Sequence, residues 1–362
     1  MTSYIIPCLK KFLIPKSRYI FRVLMKKDVY LFMVFLVLIS IISFGFIIRD
    51  YQTLERHSES DLNWYVRMSE SLLGRPVVET PRDYQYPPFY PLFLIPGILS
   101  GHLMLYILVF NAVFSILVYI ASVCLARVWL SFWQAGIVGT VAWFMNWFFL
   151  TPGKSYGYPF LLTSLLFTLM FLMLVRGRMR MASILYMLMV GLTYSAWFLV
   201  PFLVLWHGRR IVKAGLFLLP ASLVFLCWGM RNYLLHQDFL GGYRSVFNSV
   251  LLDVQGRLPS LWTTLEVQMV VLCLFMFILG CLTLRHMVDM GRIPLLLTMN
   301  FIVFFVFAGF VWRLSYISWR YLVFLLPVYW TIGVLPAGFL LARMLPAWLK
   351  KRVSAGYPME RK

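Results

Sequence analysis

The stretch "HLMLYILVFNAVFSILVYIASV", from His102 to Val123, runs for 22 residues without an Asp, Glu, Lys or Arg. As a helix rising 1.5 Å per residue it is about 33 Å long, enough to cross ~30 Å of bilayer hydrocarbon. A bilayer also explains why it must be helical, since a helix satisfies its backbone polar groups internally where no water can. Comparable apolar runs begin near Val29, Trp129, Pro159, Ile211, Thr264, Ile293 and Ser318. Together they make about eight full spans, and the expected fold class is an all-α polytopic membrane protein. The composition agrees: 62% hydrophobic and 13% charged residues over 362 positions, with a mean hydropathy of +0.82, lie far from the average soluble domain.

A further apolar stretch, residues 181–206, is bounded by "RGRMR" on one side and "HGRRIVK" on the other. Basic clusters at both ends predict a helical hairpin of two short helices, bent near "GLTYSAW", that enters from the cytoplasmic side and returns to it. Residues 1–27 mix Ile, Leu and Phe with seven Lys/Arg and contain no short apolar core with a cleavage site, so they read as a basic interfacial segment on the cytoplasmic leaflet. Residues 28–345 then form the transmembrane domain, with a first external loop at 49–90 and a second at 231–263, and residues 346–362 form a basic cytoplasmic tail. In this layout 22 of the 33 Lys/Arg but only 3 of the 13 Asp/Glu face the cytoplasm. The net charge of +20 is therefore a positive-inside signal, and no nucleic-acid partner is implied. The five cysteines show no CxxC spacing and predict neither a disulfide framework nor a zinc site.

Seven of the 13 acidic residues lie in the first external loop, so chemistry is expected there. Within it, "SDLNWYVRMSESLLGRP" places Leu62, Tyr65, Val66, Leu72 and Leu73 at helical spacing, with Ser60 or Asp61 to cap the start and Gly74-Arg75-Pro76 to end it. This predicts an amphipathic helix along the membrane surface with Asp61 at the lipid–water boundary. Asp61 is also a favoured N-cap, and His57, Glu59 and Asp61 form a candidate set for a divalent cation. In "RDYQYPPFYPLF" the prolines Pro87, Pro88 and Pro91 argue against an ordinary helix start and for a rigid, extended entry that sets Tyr84, Tyr86 and Tyr90 beside Asp61 at the interface. Tyrosines at that level also form ordinary interfacial belts. Arg231 and Asn232 follow a span directly; the guanidinium there serves either as a snorkelling anchor or as a grip on a headgroup phosphate. Lys154, Arg244, Arg257, Arg313 and Arg320 face the same compartment.

An acid before an aromatic helix, then "YPPFYPLF", later "WGMRNYLLHQDF" at a span end and "WRYLVFLLPVY" at the last span, together resemble the GT-C glycosyltransferases that use polyprenyl-phosphate sugars. The likeness is to the protein O-mannosyltransferase and aminoarabinose transferase branches, and it covers about Ile48 to Tyr329. It implies a GT-C-like fold with an extracytoplasmic site under the first loop, where Asp61 is the base of an inverting transfer. Many relatives carry an acidic pair at this place; here Leu62 follows Asp61, which leaves metal dependence open.

The expected activity is transfer of a monosaccharide from a polyprenyl-phosphate donor to a hydroxyl of a glycan, lipid or protein. The leaving phosphate gathers negative charge, which fixed cations stabilise. Arg231 is first in that role, then Arg320, with Lys154 and Arg244 as further phosphate contacts. Tyr65, Tyr84, Tyr86, Tyr90, Asn232 and Tyr321 are the expected substrate contacts. No cofactor is required beyond the open question of a divalent cation, and no Rossmann or P-loop fingerprint is present. The alternatives are a lipid-linked glycan polymerase or ligase, a lipid-linked sugar flippase or transporter, and a scaffold; transport predicts midplane charges and an internal repeat, and neither is visible. The expected location is a prokaryotic cytoplasmic membrane, multi-pass, with both termini cytoplasmic and membrane lipids as partners.

Overall fold

The computed structural model describes residues 34, 36–42, 44–45, 62–77, 86–130, 132–150, 159–207 and 210–240. Segments 1–27 and 346–362 and the runs near Thr264, Ile293 and Ser318 lie outside the described residues. Within the described residues every regular element is helical: α1 Leu62–Leu72, α2 Phe89–Leu99, α3 Leu103–Ala126, α4 Phe132–Leu150, α5 Phe160–Val175, α6 Met179–Val190, a 3-10 helix Tyr194–Leu199, α7 Val200–His207 and α8 Ile211–His236. Residues 34, 36–42 and 44–45, inside the run that begins near Val29, are helical too. Among the described residues two helices, α3 and α8, are long and apolar enough to cross a membrane.

The packing has the polarity of a membrane bundle. The buried face of α3 mixes small and polar residues (Asn111, Ala112, Ser115, Ala121, Ser122, Ala126) with Ile107, Leu108, Val118, Tyr119, Val123 and Leu125, while Leu105, Val109, Val113 and Leu117 are exposed. The small residues let the neighbouring helices approach closely, and the exposed branched residues leave the outer face apolar. The neighbouring helices α4 and α5 answer in kind. Trp143 Nε1 donates to Ser115 Oγ at 3.0 Å, and Thr163 and Thr168 of α5 are buried with their hydroxyls donating to the carbonyls of Pro159 and Ser164, 2.7 and 2.8 Å away. Gly139 of α4 lies so close to Val123 of α3 that a Cβ would collide with the valine side chain and crowd its backbone.

Helix ends follow local chemistry. After α1, Arg75 N–H donates to Glu70 O (3.0 Å) and Gly74 N–H to Ser71 O (2.9 Å), with Gly74 at φ +72°. The same pair of bonds closes α5, from Arg178 to Met173 and from Gly177 to Leu174, with Gly177 at φ +70°. Both are Schellman ends, which need a residue free to adopt positive φ.

Two expectations are corrected. The prolines of "YPPFYPLF" do not produce an extended entry, because α2 begins at Phe89 directly after Pro88, whose φ of −74° and ψ of −27° are already helical. Pro91 falls in the first turn, where its missing N–H has no intrahelical partner to lose. The connection between α1 and α2 therefore stops short of residue 90. At the other site, α8 continues to His236, so Arg231 and Asn232 belong to the helix and not to a loop beginning at 231.

The stretch 181–206 does break at "GLTYSAW": α6 stops at Val190 and the chain passes through residues 191–193 into the 3-10 helix. Its two ends come back to one level of α8. Ser183 Oγ, early in α6, donates to the Phe217 carbonyl, and the His207 ring at the end of α7 lies 5.2 Å from the Phe217 ring. A segment that starts and finishes beside one residue is a hairpin.

Candidate functional site

The site is assembled by α2. Gly97 packs on the Tyr106 ring, Tyr106 Oη donates to the Phe93 carbonyl at 3.0 Å, and the Phe93 ring lies 5.1 Å from Phe110 and 5.7 Å from Phe114. As α2 advances its partners on α3 recede, so the two helices are antiparallel. Phe89 and Tyr90 consequently sit beside the middle of α3, about 16 Å from its start at 1.5 Å per residue.

Tyr65 of α1 and Tyr86 are brought to the same place. The Tyr65 ring lies 4.4 Å from Tyr86 and 4.8 Å from Tyr90, the latter edge-on at 89°. Edge-to-face contact sets the positive rim of one ring against the negative face of the other. Tyr65 and Tyr90 are buried and Tyr86 is half-buried. Ser69, fully buried, locks α1 onto α2 with its hydroxyl 2.7 Å from the Tyr65 carbonyl and 2.8 Å from the Pro91 carbonyl. The convergence of tyrosines expected from the sequence is present for Tyr65, Tyr86 and Tyr90. Its depth differs: it stands beside the middle of α3 instead of at a helix end, because α2 is a helix that runs back along α3. The buried face of α1 is Leu62, Tyr65, Met68 and Ser69, so it covers α2 as well as carrying the predicted apolar stripe.

Next to this cluster is an apolar cleft of about 470 Å³, bounded by Leu72, by Pro88, Phe89 and Leu92 of α2, by Met187 of α6, and by the Leu219–Trp228 side of α8. Pro220 lies in this wall; having no N–H, it leaves the Leu216 carbonyl without its helical donor. Trp228 closes one end of the cleft, and the Arg231 guanidinium lies 4.7 Å above its ring. Arg231 Nη1 also donates to Asn232 Oδ1 at 3.3 Å, and Asn232 is itself 2% exposed. The Arg231 guanidinium is thus held between the Trp228 ring and the Asn232 side chain, at the end of an otherwise apolar cleft. The far wall is fixed by the hairpin: Phe89 N–H donates to the Gly191 carbonyl at 2.7 Å, and a Cβ on Gly191 would run into the Phe89 ring.

No protein-family model, curated protein or solved structure matches the chain.

Of the site residues expected from sequence, Tyr65, Tyr86, Tyr90, Arg231 and Asn232 are placed, the three tyrosines in one cluster and the other two at the Trp228 end of the cleft. Asp61, His57, Glu59, Tyr84, Lys154, Arg244, Arg320 and Tyr321 lie outside the described residues. Sequence reading missed Ser69, Phe89, Gly191 and Trp228. Trp228 was visible within "WGMRN", five letters that put an indole three residues before a guanidinium, the spacing of neighbours on one helix face. Gly191 carried a weaker signal, as the glycine at the hairpin bend.

Proposed function

We propose that the chain is a GT-C-like membrane glycosyltransferase that moves a monosaccharide from a polyprenyl-phosphate donor to a hydroxyl acceptor, with inversion. One observation carries this: a cleft with only apolar lining ends at an indole on which an arginine is stacked. That combination suits a molecule with a long hydrocarbon chain and an anionic head, and the helix following Asp61 in sequence packs directly on the cleft's α2 wall.

In this reading the lipid chain lies against Leu219, Leu223 and Phe89, and its phosphate meets Arg231, with Arg320, Lys154 and Arg244 as further cations. The acceptor oxygen attacks the anomeric carbon, the bond from that carbon to the phosphate oxygen breaks, and Asp61 takes the acceptor proton. Negative charge grows on the departing phosphate, so a cation already held in place by Trp228 and Asn232 favours the transition state over the ground state. Tyr65, Tyr86 and Tyr90, beside the cleft and not in its lining, are the substrate contacts on the loop side in this reading. The remaining spans, external active site, cytoplasmic termini and prokaryotic cytoplasmic membrane belong to the same proposal.

The test is release of polyprenyl phosphate from a panel of polyprenyl-phosphate monosaccharides, supplied with membrane extract as acceptor, by wild type and by Asp61→Asn. Consumption of one donor by the wild type, and its loss in a folded Asp61→Asn protein, is the expected result. Equal consumption by both removes Asp61 from the chemistry; no consumption of any donor across a broad panel overturns the transferase reading.

A further inference from the structure

The end of the fold opposite Arg231 gathers cations from four chain segments. Arg127 follows α3 and Arg176 follows α5, and both guanidiniums are near enough to the Cys124 thiol to act on it electrostatically. Arg178 and Arg180 open α6, and Arg210 and Lys213 open α8. The contact of Ser183 with Phe217, each in the second turn of its helix, puts the two openings at one level. Arg176, Arg178, Arg180, Arg210 and Lys213 are all exposed. The acids among the described residues are Glu70, in α1 and ion-paired to Arg75 at 3.5 Å, and Asp238, beyond the far end of α8. Neither is at this end.

The cations also sit in a local arrangement that helices disfavour. Arg178 and Arg210 occupy the N-cap positions of α6 and α8, neither helix has a side-chain cap, and neither has an acid in its first turn. Positive charge at the positive end of a helix dipole is destabilising, so the arrangement calls for negative charge from outside the described chain.

What lies between the cations identifies the source. Ile211 and Val212 are 75% and 77% exposed, and Met181 and Ile184 are 51% and 45% exposed. Large apolar side chains interleaved with cations are what the headgroup boundary of a bilayer accepts: the apolar groups enter the acyl region while the cations meet phosphates. RNA or an acidic soluble partner would have no use for the four apolar side chains. We propose that this end is a docking surface for anionic phospholipid headgroups, held by Arg176, Arg178, Arg180, Arg210 and Lys213. The surface is separate from the cleft and stands whether or not the chain is a transferase.

The test is lipid retention by the full chain, measured by native mass spectrometry after reconstitution in nanodiscs of equimolar phosphatidylglycerol and phosphatidylcholine. The wild type retains phosphatidylglycerol in more than tenfold excess, and the excess shrinks as salt is raised to about 0.5 M. Replacing Arg176, Arg178 and Arg180 by Gln lowers the preference about fivefold per cation until it disappears. Arg67→Gln with Arg75→Gln, on and just after α1 and away from this cluster, leaves it intact. Equal retention of the two lipids by the wild type overturns the proposal without recourse to any variant, as does a preference that follows Arg67 and Arg75.

Discussion

Gly191→Ala is the sharpest probe of how the cleft is built. Gly191 has φ −73° and ψ −11°, a backbone that alanine adopts freely, so any penalty comes from contact alone. The new methyl lands on the Phe89 ring. Phe89 N–H is tied to the Gly191 carbonyl at 2.7 Å, which holds the two backbones together, and the ring must turn towards the half-open cleft it lines. Overpacking of this kind costs about 1–3 kcal/mol, and a gain of about 1 kcal/mol from replacing glycine at a helix end offsets part of it. A net loss of up to about 2 kcal/mol is expected for unfolding in mixed micelles. Binding of a polyprenyl phosphate falls more steeply, roughly tenfold or beyond, because the ring occupies cleft volume. Phe89→Ala in the same chain removes the obstacle, so the double variant is more stable than the sum of the two single losses by at least ~1 kcal/mol. Additive losses, or a Gly191→Ala protein that binds lipid like the wild type, would refute the contact and the cleft wall drawn from it.

Three other outcomes follow from the same geometry. Cys227 lines the cleft and is exposed; with Cys8, Cys124, Cys273 and Cys281 replaced by alanine, its maleimide labelling slows at least severalfold on adding polyprenyl phosphate, and unchanged labelling removes lipid from the cleft. Arg231→Ala weakens donor binding by more than tenfold, since a charge-assisted contact is worth about 1.5–3 kcal/mol, whereas Arg231→Lys keeps charge but loses the stacked fork and recovers only part; titration of donor against turnover separates the two. Gly139→Leu forces α4 from α3 and costs ~1–3 kcal/mol or more, and Val123→Ala relieves it in part because Val123 is the first obstacle; absence of relief would place the crowding elsewhere.

Much of the helical skeleton was legible because it depends on single-segment properties. Leu103, Phe160 and Ile211 open helices within one residue of the starts read from apolar runs, and Phe132 opens one three residues after Trp129. Gly74 and Gly177 stop helices for the reason visible in sequence: a Schellman end needs a residue at positive φ. The failures share a different cause. A proline counts against a helix in its interior, but at the first turn of α2 it removes a donor that was orphaned anyway, so the same three letters fit either reading. Arg231 was taken as the start of a loop, yet hydropathy scores side chains and not backbone, so a helix is free to continue past its last apolar stretch, as α8 does to His236. Ser69 lies within the apolar stripe of α1, where a small hydroxyl residue gives no sign of a partner. Only the approach of Pro91, 22 positions away, turns its hydroxyl into the bond that joins two helices.

The depth of the tyrosine cluster is a consequence of two elements that are too short to cross a membrane alone. The 11 residues of α2 and the 12 of α6 extend about 16 and 18 Å. Each therefore ends part-way through the bundle, and each would leave backbone groups unsatisfied there, at a cost of several kcal/mol apiece in hydrocarbon. They meet head to tail: the first N–H of α2 donates to the carbonyl of Gly191 just past α6, so one orphan from each end cancels and the positive end of one dipole faces the negative end of the other. Any segment of full length would have no ends there and would create no gap. The joint is what leaves space between Leu92, Met187 and Leu223 for the cleft, and it is why the side chains flanking it, Tyr90 on one side and Trp228 on the other, stand inside the bundle. Irregular backbone at depth is tolerated where it lines a cavity; here the cavity and the irregularity have one origin, a glycine whose missing side chain lets Phe89 approach.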